Sequence, residues 1–226
     1  DIMIEACAQM SLLCSLYQHH PAPIVSSASY TLIYIDIPHK ELHYVWIMSN
    51  ILNKTKVYLV GHMQYQNGRG WREEVTKELV GMGVTVFDPY HKPFIDDTNE
   101  DESVRAQLKN WMDHGEYDSV AERMKKVRAF DLRLCDLSDF IIAHINPAVA
   151  SWGSAEELVT SCRMKKPTFI SIEGGKTKTP LWMMGMFPHK YFYNNLDEVL
   201  DVLRKINSGI KEIDNERWKL LKEEYR

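Results

Sequence analysis

Five short, β-prone apolar runs recur along the chain, with helical periodicity between them. The runs are residues 56–60 (Lys-Val-Tyr-Leu-Val), 84–87 (Val-Thr-Val-Phe), 140–145, 168–172 and 191–193 (Tyr-Phe-Tyr). Trp71, Val75, Leu79 and Met82 recur at helix spacing after the first run. Val120, Met124, Val127 and Leu134 do so before the third, and Leu158, Val159 and Cys162 after it. Such alternation implies an α/β fold: a mostly parallel five-stranded sheet with helices on both faces, joined by right-handed crossovers. The expectation is a Rossmann-like or flavodoxin-like three-layer sandwich, and 226 residues suffice for one such domain with some excess.

Punctuation places the helix ends. Gly83 suits a stop after residues 71–82, Ser119-Val120-Ala121-Glu122 reads as a capping box for a helix to about Cys135, and Lys165-Lys166-Pro167 ends the next helix. Asn195 with Glu198 caps a helix through Ile206, which Gly209 closes. Residues 90–117 form a long acidic connection with a short helix near 103–112; it reads as a lid or as a mobile insertion. Residues 181–187, rich in Trp and Met, read as core packing, with a ligand or subunit contact as the other roles.

The expected division is an N-terminal extension of uncertain structure over 1–47, an α/β domain over 48–209 and a charged C-terminal helix over 210–226. Two readings of the extension stand. In one, Met48 is the natural initiator; in the other, a genuine strand or helix precedes the domain, and residues 31–37 are β-prone. The pair His19-His20 reads as a surface loop.

Composition narrows the function classes. A formal charge of -4 gives no electrostatic case for nucleic-acid polymers or an anionic membrane surface. No run approaches the ~18 apolar residues of a membrane span, and no secretion signal is evident. Cys7, Cys14, Cys135 and Cys162 form no C-x-x-C pair and have no zinc spacing, which fits a reducing, cytoplasmic setting without a metal. Neither a P-loop nor G-x-G-x-x-G is present, and no cofactor is expected.

The chemistry is concentrated where the strand 140–145 gives way to a helix through Asn146-Pro147-Ala148-Val149-Ala150-Ser151-Trp152-Gly153-Ser154-Ala155-Glu156-Glu157-Leu158. A small-residue turn before a helix N-terminus offers unpartnered N–H groups to an anion. Ser151, Gly153 and Ser154 would let a phosphate approach and add hydroxyl donors. Ser154-Ala155-Glu156-Glu157 is also a capping box, a purely structural role, and periodicity does not separate Glu157 from Glu156. His62 to Gly70 reads as a glycine-bearing loop in which Arg69 could pair with a phosphate. Asp131 lies near a helix C-terminus, an unfavourable place for an anion, which Lys126 or Arg128 could relieve.

Several short motifs, in this order and spacing, carry a resemblance. Val57-Tyr58-Leu59-Val60-Gly61, Val86-Phe87-Asp88-Pro89, Asp131, Ser138-Asp139, Ser151-x-Gly153-Ser154-x-x-Glu157-Leu158 and Lys166-Pro167 resemble the nucleoside 2-deoxyribosyltransferase superfamily over about residues 56–172. The family pattern around its nucleophile is D-x-G-T-x-x-E. This chain departs from it with Ser151 for the aspartate and Ser154 for the threonine. The serine-type turn is similar to the deoxynucleoside 5'-monophosphate N-glycosidases, where that serine helps hold the 5'-phosphate. A hydroxyl in place of a carboxylate removes a charge that would repel phosphate. His62 stands where the transferases have proline, and Asn194 and Asn195 are candidates for a C-terminal asparagine contact.

The resemblance implies an enzyme that breaks the N-glycosidic bond of a 2'-deoxynucleoside or its 5'-monophosphate. Glu157 would be the nucleophile, kept ionised by the helix N-terminus, and Asp131 would bind or protonate the base. Tyr58 would shape the sugar pocket, and Gly61, His62, Met63, Arg69, Asp88, Ser151, Gly153 and Ser154 would complete the binding site. Water would make the chain a hydrolase and a second base a transferase. A non-catalytic nucleotide-binding or sensing domain is the alternative. The partner implied is a small nucleoside or nucleotide, and the chain is expected as a homodimer or higher homo-oligomer.

Overall fold

A computed structural model describes residues 30–34, 44–48, 50–63, 67–92, 98 and 100–211. Cys7, Cys14, His19 and His20, and all but the first residues of the expected C-terminal helix, lie outside them. Two strands, β1 (Tyr30–Tyr34) and β2 (Tyr44–Met48), pair antiparallel, and Met48 is the last residue of β2.

The main sheet contains β3 (Lys56–Gly61), β4 (Thr85–Phe87), β5 (Phe140–Ile145), β6 (Thr168–Ile172) and β7 (Phe192–Tyr193). All four pairings are parallel, and the spatial order is β4-β3-β5-β6-β7. The chain is therefore α/β with a flavodoxin-like strand order. The order reverses between β3 and β5, and open sheets of this kind bind ligands outside the carboxyl ends of the strands at such a reversal.

The helices are α1 (Asn67–Gly81), α2 (Glu102–Asp113), α3 (Tyr117–Leu137), α4 (Trp152–Arg163), α5 (Leu181–Met186) and α6 (Leu196–Asn207). Alternating side chains of each strand face opposite layers. Val57, Leu59, Phe140, Ile142 and Phe169 pack with Trp71, Val75 and Leu79 of α1 and with Val199, Leu200, Leu203 and Ile206 of α6. Tyr58, Val60, Ile141, Ala143, Ile170 and Ile172 pack on the other face with Leu134 and Cys135 of α3 and Leu158 of α4. Both faces of the sheet are covered, so the strands read as unbroken apolar runs.

Glycine is required at two bends. A Cβ on Gly61 would lie 2.8 Å from the backbone oxygen of His144, where β3 and β5 end side by side. Gly83 has φ 76, the left-handed conformation that closes α1.

Several expectations about local structure are corrected. The helix expected from Ser119 begins at Tyr117, and the Glu116 side chain before it makes no capping bond. α1 starts at Asn67, so Arg69 and Gly70 are helical rather than part of a loop. By contrast, the short helix expected near 103–112 is present as α2, whose Asp101 caps it by accepting from the Val104 N–H. Around α5, Phe187 is buried, but Leu181 is 90% exposed and Trp182 85% exposed, so they are not core residues. Val159 is also exposed, while Leu158 carries the apolar side of α4.

Candidate active site

The start of α4 fixes the site. Ser151 is extended at φ -129, and its Oγ accepts from the Ser154 N–H at 3.4 Å while donating to Ser154 Oγ at 2.9 Å. The cap is therefore Ser151, three residues before Ser154, and the capping box Ser154-to-Glu157 does not form. Glu157 consequently sits past the first turn. Its side chain turns to the sheet, and Tyr58 Oη donates to Glu157 Oε1 at 2.7 Å within the buried layer. Glu156 points outward and pairs with Arg128 through Nε at 2.7 Å. Structure thus separates two glutamates that periodicity leaves equivalent.

Asp131 lies on the buried face of α3 with Val127, Leu134 and Cys135. Arg128 is committed to Glu156, and the residue that relieves Asp131 is Lys92, from the segment after β4. Its Nζ lies 2.8 Å from Asp131 Oδ1 and donates to Oδ2 at 3.1 Å. The same ammonium donates to Glu100 Oε2 and to the Thr98 carbonyl, each at 3.1 Å. Nothing in the polar stretch around Lys92 signals this role.

Burial dominates the electrostatics. Glu157 and Asp131 are each only 9% exposed. Desolvation pushes the Glu157 carboxyl up to about 8, opposed by the Tyr58 hydrogen bond and reinforced by the Asp131 charge. Asp131 rises to about 6, again through burial, with Lys92 pulling it down. Burial and the neighbouring Glu157 push the Tyr58 phenol well above its ordinary value. The expectation that the helix N-terminus keeps Glu157 ionised is corrected. The dipole effect fades beyond the first turn, and burial outweighs it.

A second group of residues lines the carboxyl ends of β3 and β4, organised by the fully buried Arg72. Its guanidinium donates to the carbonyls of Gly61 at 2.9 Å, His62 at 3.4 Å and Gly68 at 2.5 Å, and lies 3.6 Å from Asp88 Oδ1. Arg72 shares a helical face with Val75 and Leu79, a spacing that could have flagged it. Asp88 also accepts from the Tyr90 N–H at 3.0 Å. His62 is buried, and burial followed by the Arg72 charge lowers its imidazole below the ordinary value. The Met63 carbonyl accepts from Tyr90 Oη at 2.9 Å and from Arg105.

Tyr58, Asp131 and Glu157 therefore share one face of the sheet, and the Arg72 charge reaches Glu157 from the first turns of α1. Ser154 is buried at the head of α4, while a Cβ on Gly153 would meet open space. Arg69 is exposed and stacks over the Tyr90 ring at 4.8 Å. Asn195 caps α6 through the Glu198 N–H at 2.9 Å, and Asn194 bonds Lys176 and Glu198, so both serve the β7 turn. Among the described residues no His, Cys, Asp or Glu cluster could hold a metal ion, and no helix is long and apolar enough to cross a membrane.

No protein-family model matches the chain, and no curated protein matches it. Fourteen chains of solved structures do. One is a 2-deoxyribosyltransferase from the psychrotolerant bacterium Bacillus psychrosaccharolyticus, 17% identical, with a TM-score of 0.46 over 65% of this chain and 90% of that one.

Proposed function

We propose that the chain breaks the N-glycosidic bond of 2'-deoxynucleosides or their 5'-monophosphates, passing the deoxyribosyl group to water or to another base. The observation that carries this reading is the buried Glu157 carboxyl, bonded by the Tyr58 hydroxyl and next to a second acidic group, Asp131. Cleavage at an anomeric carbon needs a carboxylate that can attack it and a group that handles the proton of the departing base. Glu157 attacks C1', the C1'–N bond breaks and its electron pair leaves with the base. Asp131 binds that base or supplies its proton. Water or a second base then resolves the glycosyl ester and frees Glu157.

Tyr58 has two roles in this scheme. Its hydrogen bond favours the ionised Glu157 that attack requires, and its ring borders the sugar. Ser151, Gly153 and Ser154 receive the 5' end. The Ser151 hydroxyl donates to Ser154, whose own hydroxyl hydrogen can turn to a phosphate, and no carboxylate opposes that charge. Gly61, His62, Met63 and Asp88, shaped by Arg72, form the opposite rim, and Arg69 lies outside it. The exposed Trp152, Leu181 and Trp182 support a homodimer or higher homo-oligomer.

The test is incubation with deoxynucleosides and deoxynucleotides, with and without an acceptor base. Base release or exchange that disappears in Glu157→Gln is expected; full activity in that variant removes the reading. The deep burial of both carboxyls and the pairing of Asp131 by Lys92 favour one rival, a nucleotide-sensing domain without turnover. Tight binding of a deoxynucleotide with no base released would select it.

A further inference from the structure

The Lys92 ammonium has three hydrogens and three partners: the Asp131 carboxylate, Glu100 Oε2 and the Thr98 carbonyl. Its side chain is fully buried. No donor is left over for a ligand, so Lys92 can act on a substrate only through Asp131. A buried ammonium with this set of acceptors is also costly to place, because both ions lose their hydration. A leucine or methionine would pack there without that cost.

We infer that Lys92 is a positioning residue of this site: pinned by Glu100 and the Thr98 carbonyl, it spans both oxygens of Asp131 and holds that carboxylate charged and in one orientation. The inference rests on the proposed reaction and adds a residue that its chemistry alone does not name. Asp131 is faced by Lys92 and Glu100 from the segment after β4, by Glu157 from α4 and by Tyr58 from β3. Of these only Lys92 is a cation. With it in place, Asp131 accepts an N–H of the base around neutral pH. Without it, burial and the neighbouring acids would leave Asp131 protonated and free to rotate.

Lys92 and Glu100 act on Asp131 with opposite signs: the cation lowers its pKa and the anion raises it. This separates an electrostatic role from a merely structural one. Asp131 is titrated by carbon NMR of labelled carboxyl groups in the full chain, and the pH profile of kcat/KM is recorded with a deoxynucleoside monophosphate. In Lys92→Met the Asp131 titration and the matching limb of the profile should both rise, by about one pH unit or more. Lys92→Arg should restore most of that shift, and Glu100→Gln should move both readouts downward.

Shifts of the same sign in Lys92→Met and Glu100→Gln, or no shift in either, overturn the inference. If Lys92→Met does not fold, Glu100→Gln and Lys92→Arg still decide the sign. A wild type that releases base while the variants leave the limb unmoved refutes Lys92 alone. A wild type that releases no base from any deoxynucleotide refutes the reaction, and the positioning role with it.

Discussion

Replacing Glu157 by glutamine should change how stability depends on pH. The folded chain holds this carboxyl at about 8 against an ordinary 4.5. Below about 4.5 the group is protonated in both folded and unfolded chains, so stability does not vary with pH through it. Between 4.5 and about 8 the unfolded chain releases the proton and the folded chain keeps it, so stability falls as pH rises. At about 1.4 kcal/mol per pH unit, the interval amounts to about 5 kcal/mol. Glutamine has nothing to titrate, so this slope disappears from the variant. Urea unfolding followed by circular dichroism, at steps from pH 4.5 to pH 8.5, measures both chains. The free energy of wild type minus that of Glu157→Gln should decline across the range. Parallel curves would refute the reasoning, because they would mean that Glu157 is not held protonated by burial.

Three further outcomes follow from the site. Tyr58→Phe removes a hydrogen bond to a buried carboxyl, worth about 1.5–3 kcal/mol in its charged form. Base release at pH 7 should fall about tenfold to a hundredfold, and the kinetic limb set by Glu157 should move to higher pH. Ser151→Ala loses a long capping bond and should cost about 0.5 kcal/mol of stability, measured by urea unfolding; KM should rise more for the monophosphate than for the nucleoside. Glu156→Gln breaks an exposed pair with Arg128 and should leave base release unchanged, which makes it the control for its neighbour Glu157.

The sheet was legible because its inner strands are buried on both faces and therefore read as short continuous apolar runs, and the half-buried edge strand β4 still carries Val86 and Phe87. The five runs match β3 to β7 within a residue or so at each end. Helix starts were less legible. Serine, glutamate and glycine support several registers, and packing chose Ser151 over Ser154 by drawing Glu157 down to Tyr58. The helix signal on α3 follows its apolar positions, so it passes over Asp131, which shares their buried face only because a distant lysine neutralises it. Lys92 was invisible for the same reason: its role depends on where a long polar connection folds back, and no local periodicity records that. Leu181 and Trp182 failed as core residues because composition alone does not say which way a short helix turns.

The two apolar clusters divide the labour between the layers of the sandwich. Glu157 and Asp131 sit in the layer built from α3 and α4, while α6 and the second half of α1 face the sheet with hydrocarbon and pair with each other at the surface through Arg204 and Glu78. That far layer is a place where the chain can be retuned for temperature at no expense to its chemistry. Trimming Leu203 to alanine there should lower the melting point, at a cost of about 2–5 kcal/mol, while turnover per folded molecule stays the same.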